Sequence, residues 1–211
     1  MMIGFYNYSV ILTYIGLISS VFGITQVFEH NESIAFLCLL LSGICDLFDG
    51  KIARSMKNRT EHEKVFGIQI DSLVDLISFG VYPAIIAYSM GFNSFPCLII
   101  FIIYILGAVI RLGYFNVMED MRQQQTTEKR KYYQGLPVTS SCLIFPMIYC
   151  LTVWLTVPQV QLVYLIGLLV VGILFVANIK VIKPDFKGVL GLIGFGIILL
   201  IILIIKGVVL I

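Results

Sequence analysis

Apolar residues run through this chain in long blocks separated by short polar connections. Seven blocks cover roughly 8–28, 33–55, 68–91, 94–117, 136–157, 160–179 and 188–208. Each is near the length of about 20 residues that carries a helix across a bilayer. No polar stretch between them is long enough for a soluble domain. The pattern therefore predicts an all-α integral membrane protein, a polytopic helical bundle of about six to seven transmembrane helices, forming one domain over 1–211. The lower count applies if the last two blocks form a single re-entrant pair. The first block has no basic leader and no small-residue cleavage pattern, so it reads as a span and not as a cleaved signal.

The second and third blocks break the apolar rule. At 3.6 residues per turn, Asp46, Asp49, Gly50 and Ala53 share one narrow stripe, and Gly67, Asp71 and Asp75 share another at i, i+4, i+8. An ionisable side chain at membrane depth costs roughly 2.5–3.5 kcal/mol on insertion scales and calls for a functional reason. The carboxylate-only donor set suits magnesium, manganese or calcium, whereas zinc or copper would call for His or Cys. Gly50 and Ala53 remove bulk beside the acids, so a large ligand can approach the backbone. Lys51 and Arg54 follow closely and suit phosphate oxygens. Two other readings stay open here. The acids could form structural ion pairs with Lys51, Arg54 or Lys64, or they could line a cation transport path.

Charge adds an orientation. Lys51, Arg54, Lys57, Arg59 and Lys64 lie in the 2–3 connection, Arg111, Arg122, Lys129, Arg130 and Lys131 in the 4–5 connection, and Lys180, Lys183 and Lys187 in the 6–7 connection. Only Lys206 falls elsewhere, so 13 of the 14 basic residues share one side, which the positive-inside rule assigns to the cytoplasm. The expected location is the cell membrane, multi-pass, with the acids facing the cytoplasm at the ends of helices 2 and 3. The net charge of +2 adds only mild compatibility with anionic headgroups, and nothing points to nucleic acid. The five Cys have neither metal nor disulfide spacing and read as packing residues. Arg111 reads either as an anion contact or as a snorkelling side chain. Lys129–Lys131 and His62 read as solvated, and Ser78 and Tyr82 as packing on the acidic stripe of helix 3. Tyr132, Tyr133 and Trp154 suit the membrane interface, and Gly191, Gly194 and Gly196 suggest close helix packing.

The two stripes resemble the signature of the CDP-alcohol phosphotransferases, D-x2-D-G-x2-A-R followed by G-x3-D-x3-D. All eight fixed positions are present: Asp46, Asp49, Gly50, Ala53, Arg54, Gly67, Asp71 and Asp75. Two departures stand out. The linker Ser55–Phe66 is longer than the family's, which predicts a longer loop or an extra helical turn. Gly16 stands, three residues after Thr13, where the family often has Asn. The stretches Asp71–Ala84, Arg111–Val117 and Gly135–Pro137 are similar to the serine-using members of bacterial and archaeal type. The resemblance covers about Thr13 to Pro137. It implies transfer of a phosphatidyl group from CDP-diacylglycerol to L-serine with release of CMP, the alternative being a sister enzyme with an acceptor such as glycerol 3-phosphate or inositol phosphate. It also implies two divalent cations, Mg2+ or Mn2+, held by Asp46, Asp49, Asp71 and Asp75, with Asp75 as general base. Gly50, Lys51, Ala53, Arg54, Gly67 and Thr13 are its implied nucleotide contacts, Arg111 and Asn116 its acceptor contacts, and a homodimer its assembly.

Overall fold

A computed structural model describes residues 3–5, 8–56, 59–125 and 132–209. Lys57 and the basic run Lys129–Lys131 lie outside the described residues. The elements are α1 (Ile11–Phe28), α2 (Glu32–Ser55), α3 (Glu61–Asp75), a π-helical segment (Leu76–Val81), α4 (Tyr82–Ser89), α5 (Phe95–Gln125), β1 (Tyr132–Gln134), α6 (Ser141–Cys150), α7 (Val157–Val176), β2 (Lys180–Ile182) and α8 (Phe186–Val209). Among the described residues, six stretches are long and apolar enough to span a membrane, α3 to α4 acting as one of them; a shorter apolar helix covers Val138–Val153.

That shorter helix is the fifth predicted block. β1 precedes α6 and β2 follows α7, and the strands pair antiparallel, Tyr132 with Ile182 and Gln134 with Lys180. Both ends of the α6–α7 hairpin therefore lie on one face, so α6 must return across the same thickness that α7 crosses. The last two blocks are separate long helices, α7 and α8, and not a re-entrant pair.

In a bilayer, polar groups must find partners inside the protein. Ser20, Ser42 and Ser78 join α1, α2 and the π segment, with Ser20 Oγ 2.8 Å from Ser42 Oγ and donating to Ser78 Oγ at 2.7 Å. Ser42 Oγ also donates to the Gly16 carbonyl at 2.9 Å. A Cβ at Gly16 would lie 3.3 Å from Cys45 Cβ, so this glycine permits the close approach of α1 to α2. Pro83 cannot donate to the carbonyl four residues back. The Tyr104 hydroxyl donates to that Phe79 carbonyl at 2.5 Å, and Tyr164 donates to the Pro83 carbonyl at 3.1 Å. The irregular turn after Asp75 is thus braced by α5 and α7. Those two helices meet at backbone distance, since a Cβ on Gly107 would lie 2.5 Å from the Gly172 carbonyl oxygen.

Other expectations divide. Ser78 and Tyr82 are buried and pack as expected, Tyr82 donating to the Ala35 carbonyl at 2.7 Å. Cys38, Cys45 and Cys150 are buried and free. The α8 glycines do not make the expected close crossing: a Cβ at Gly191 or Gly194 would meet nothing within 4 Å, and one at Gly196 would make only an ordinary contact with Leu143 at 3.6 Å; α8 also buries Leu199 and Leu203. His62 is not in a loop but in the first turn of α3, stacked on Phe5 with centroids 5.2 Å apart.

Candidate active site

The last part of the longer linker, Glu61–Phe66, is extra helix at the start of α3. Thr60 caps α3: its side chain accepts from the Glu63 N–H at 3.2 Å, and the Thr60 N–H donates to Glu63 Oε2 at 2.8 Å. This reciprocal cap starts α3 at Glu61, seven residues before the expected start at 68. Asp71 and Asp75 therefore lie well past the start of α3, Asp75 as its last residue before the π segment. At about 1.5 Å per residue they sit about 15 and 21 Å from its start. Asp46 and Asp49 likewise stand well inside α2, which continues to Ser55.

The two stripes meet as predicted. Asp46, Asp49 and Asp71 each offer a carboxylate oxygen, all within 4.8 Å of one another. Asp75 is buried and within hydrogen-bond reach of Asp46, as Asp71 is of Asp49. Thr13 Oγ1 donates to Asp49 Oδ2 at 2.8 Å, so α1 orients one of the acids. Carboxylates this close repel, and the arrangement suits a shared proton or a cation. Asp46, Asp49 and Asp75 open on a cleft lined also by Thr13, Gly16, Ser42, Cys45, Val74, Ser78 and Phe79. Its free volume is about 10 Å³, room for about one water-sized group. Such a space suits a small ion, leaving any larger ligand outside it.

The remaining candidates scatter. Gly50, Ala53 and Gly67 are part-exposed on the two stripes. Lys51 is not brought to the acids; its ammonium lies 5.0 Å over the ring of the exposed Phe48. Lys64 pairs with Glu61 at 2.5 Å, so it is not the ion-pair partner of the acids. The Arg54 side chain is not described. Arg111 is buried on the stripe of α5 that carries Tyr104 and Ala108. Asn116 donates to Ser72 Oγ at 2.8 Å, tying α5 to the residue after Asp71.

Two contributors escaped the motif. Ser42 lies one turn before Asp46 on the same stripe and was legible by spacing. Arg59 was not. Its guanidinium donates to the Ala53 carbonyl at 3.3 Å and the Glu63 carbonyl at 3.1 Å, and lies where a Cβ on Gly67 would be 2.6 Å away. It sits in the polar linker, where periodicity carries no signal.

The profile of the family described as CDP-alcohol phosphatidyltransferase matches residues 6–176. The chain belongs to that family. The match extends beyond Pro137 through β1, α6 and α7 and ends before β2, so the α6–α7 hairpin belongs to the family's domain. Relatives bear the name CDP-diacylglycerol–serine O-phosphatidyltransferase. The one from Saccharomyces cerevisiae is 40% identical over 114 residues, 53% of this chain and 40% of the relative. That from Helicobacter pylori is 28% identical over 181 residues, 81% of this chain and 70% of the relative, and that from Methanocaldococcus jannaschii 28% over 159 residues, 75% and 69%. The chain thus spans less than half the length of the yeast relative.

Proposed function

We propose that this chain transfers the phosphatidyl group of CDP-diacylglycerol to the hydroxyl of L-serine, releasing CMP. The meeting of Asp46, Asp49, Asp71 and Asp75 across two helices carries the reading, in a family whose serine-named relatives match this chain. Family members depend on divalent metal, and three carboxylate oxygens within 4.8 Å are a fitting hard-cation donor set. Asp46, Asp49 and Asp71 would hold a cation, and Asp75 would share a second, Mg2+ or Mn2+ in each case. When bound, these cations neutralise the diphosphate and the charge that develops on the departing CMP.

Asp75 takes the proton from the serine hydroxyl as that oxygen bonds to the phosphorus bearing the diacylglycerol, and the bond from that phosphorus to the CMP oxygen breaks. Thr13 orients Asp49. Gly50, Ala53 and Gly67 leave room for the nucleotide, and Arg54 contacts phosphate by its motif position. Lys51, beside Gly50, is a further phosphate contact in this reading, its ammonium lying over the Phe48 ring. Arg111 meets the serine carboxylate, with Asn116 in support through Ser72. A buried cation at membrane depth favours a ligand role over snorkelling. A transport path for cations has no use for the motif's small residues. The homodimer implied by the resemblance belongs to this reading.

The acceptor panel tests it. Purified chain with CDP-diacylglycerol should form phosphatidylserine and CMP with serine. It should reject ethanolamine, which would leave the carboxylate-binding cation unpaired. Arg111→Ala should raise the serine KM at least about tenfold, the loss of a charge-assisted bond. Preferential phosphatidylglycerol-phosphate or phosphatidylinositol-phosphate formation would sink the serine assignment and leave the family standing.

The acids face the cytoplasm in this reading, supported by the one-sided Lys/Arg pattern. In a variant cleared of native Cys, a Cys at Lys180 should be blocked only by reagents that enter the cytoplasm, and one at Asn31 from outside. The reverse labelling would invert the orientation.

A further inference from the structure

A line of stacked side chains joins the buried Arg111 to the surface ribbon. Arg111 Cζ lies 5.0 Å from the ring centroid of Phe115, one turn further along α5. Phe115 packs on Tyr133 of β1, their centroids 6.2 Å apart and their planes tilted by 52°. Lys183, just past β2, places its ammonium 5.6 Å from the Tyr133 centroid. These separations lie within the ranges where aromatic pairs and cations over rings attract.

The ribbon end of this line is held firmly. Tyr133 pairs with Val181 in the antiparallel ladder. The next residue, Gln134, accepts from the Tyr114 hydroxyl at 2.6 Å. Gly135 follows with φ of +74°, and a Cβ there would lie 2.5 Å from the Phe175 carbonyl oxygen, so the chain leaves β1 in a conformation that glycine alone takes easily. A fixed Tyr133 restricts the Phe115 ring, and the Phe115 ring restricts the guanidinium above it. Tyr133 itself stands far from the acids in sequence.

We propose that Tyr133 is a positioning residue for the acceptor: packed against Phe115, it holds the Arg111 guanidinium in the orientation that meets the acceptor's carboxylate. This rests on the reading of Arg111 as the anion contact for serine. A ribbon that looks like a connection between spans is then part of the acceptor's specificity.

The test uses the full chain in lipid nanodiscs with CDP-diacylglycerol and saturating Mg2+ or Mn2+. Serine KM, CDP-diacylglycerol KM and kcat are measured for the native protein and for Tyr133→Phe, Tyr133→Leu and Tyr133→Ala. The Leu and Ala variants should raise the serine KM roughly two- to tenfold, the range of one lost aromatic pair. The CDP-diacylglycerol KM should stay within about twofold, and Tyr133→Phe should match the native protein, because its ring is kept. Should Tyr133→Ala not fold, Tyr133→Leu decides, as it keeps most of the volume and lacks only the ring. An unchanged serine KM overturns the proposal. So does an equal rise in both KM values, or a Phe variant as impaired as the Leu variant. Native protein that forms no phosphatidylserine overturns the serine reading and this proposal together; native protein that forms it while Tyr133→Leu keeps its serine KM overturns this proposal alone.

Discussion

Asp75→Asn is expected to keep most of the affinity for CDP-diacylglycerol while kcat falls by at least 10²–10⁴-fold, the usual loss for a general base. The geometry separates this residue from its neighbours. Asp46, Asp49 and Asp71 crowd their oxygens within 4.8 Å, while Asp75 stands a turn deeper, buried, lining the cleft beside Asp46. The amide has the shape of the carboxyl and retains a hydrogen-bonding oxygen, so the three-oxygen cluster and the serine network beneath it should survive. What the amide lacks is the capacity to take the acceptor's proton. A lost cation contact would deepen the fall. The measurement is kcat at saturating serine, set against CDP-diacylglycerol affinity from direct binding. Near-normal kcat would falsify the base assignment; loss of lipid binding with kcat intact would recast Asp75 as a purely structural group.

Why the motif was readable and the surrounding geometry was not follows from what helical spacing encodes. Asp46 and Asp49, or Asp71 and Asp75, share a face because of periodicity alone, and two apolar helices with one polar stripe each have few ways to pair in lipid. Their meeting was legible for that reason. Helix limits are different. Thr60-Glu-His-Glu63 is a capping box written in plain sequence, yet it lies in a polar stretch that hydropathy assigns to a loop. Reading the cap would have started α3 at Glu61, well before Asp71 and Asp75. The π segment after Asp75 had no comparable signal. It depends on Pro83 withholding a donor and on Tyr104, from another helix, supplying one to Phe79. Arg59 depends on tertiary placement too: its position against Ala53 and Gly67 needs the linker to turn back on itself. The fifth span was legible as apolar but its shortness was not, since the β1–β2 pairing that fixes the hairpin rests on two three-residue strands 45 or more residues apart.

Exhaustive metal removal should abolish turnover, and Mg2+ or Mn2+ should restore it. The reason is electrostatic before it is chemical. Phosphoryl transfer brings a diphosphate, already anionic, against acids that repel one another at 4.8 Å or less. Without cations the substrate meets like charge in a poorly solvated cleft, and binding and catalysis should fail together. The individual acids should then divide by role. Asp49→Asn and Asp71→Asn should raise the half-maximal metal concentration, because each removes a donor from the cluster. Thr13→Val should do so more weakly, since it frees Asp49 from a 2.8 Å hydrogen bond without removing the carboxylate. Mn2+ binding followed by electron paramagnetic resonance gives a readout independent of turnover. Two bound ions per chain would support the paired-cation arrangement, and one would reduce it to a single cation on Asp46, Asp49 and Asp71. Full turnover after exhaustive chelation would leave the four acids without the role their crowding suggests, and Asp75 would have to be reassessed with them.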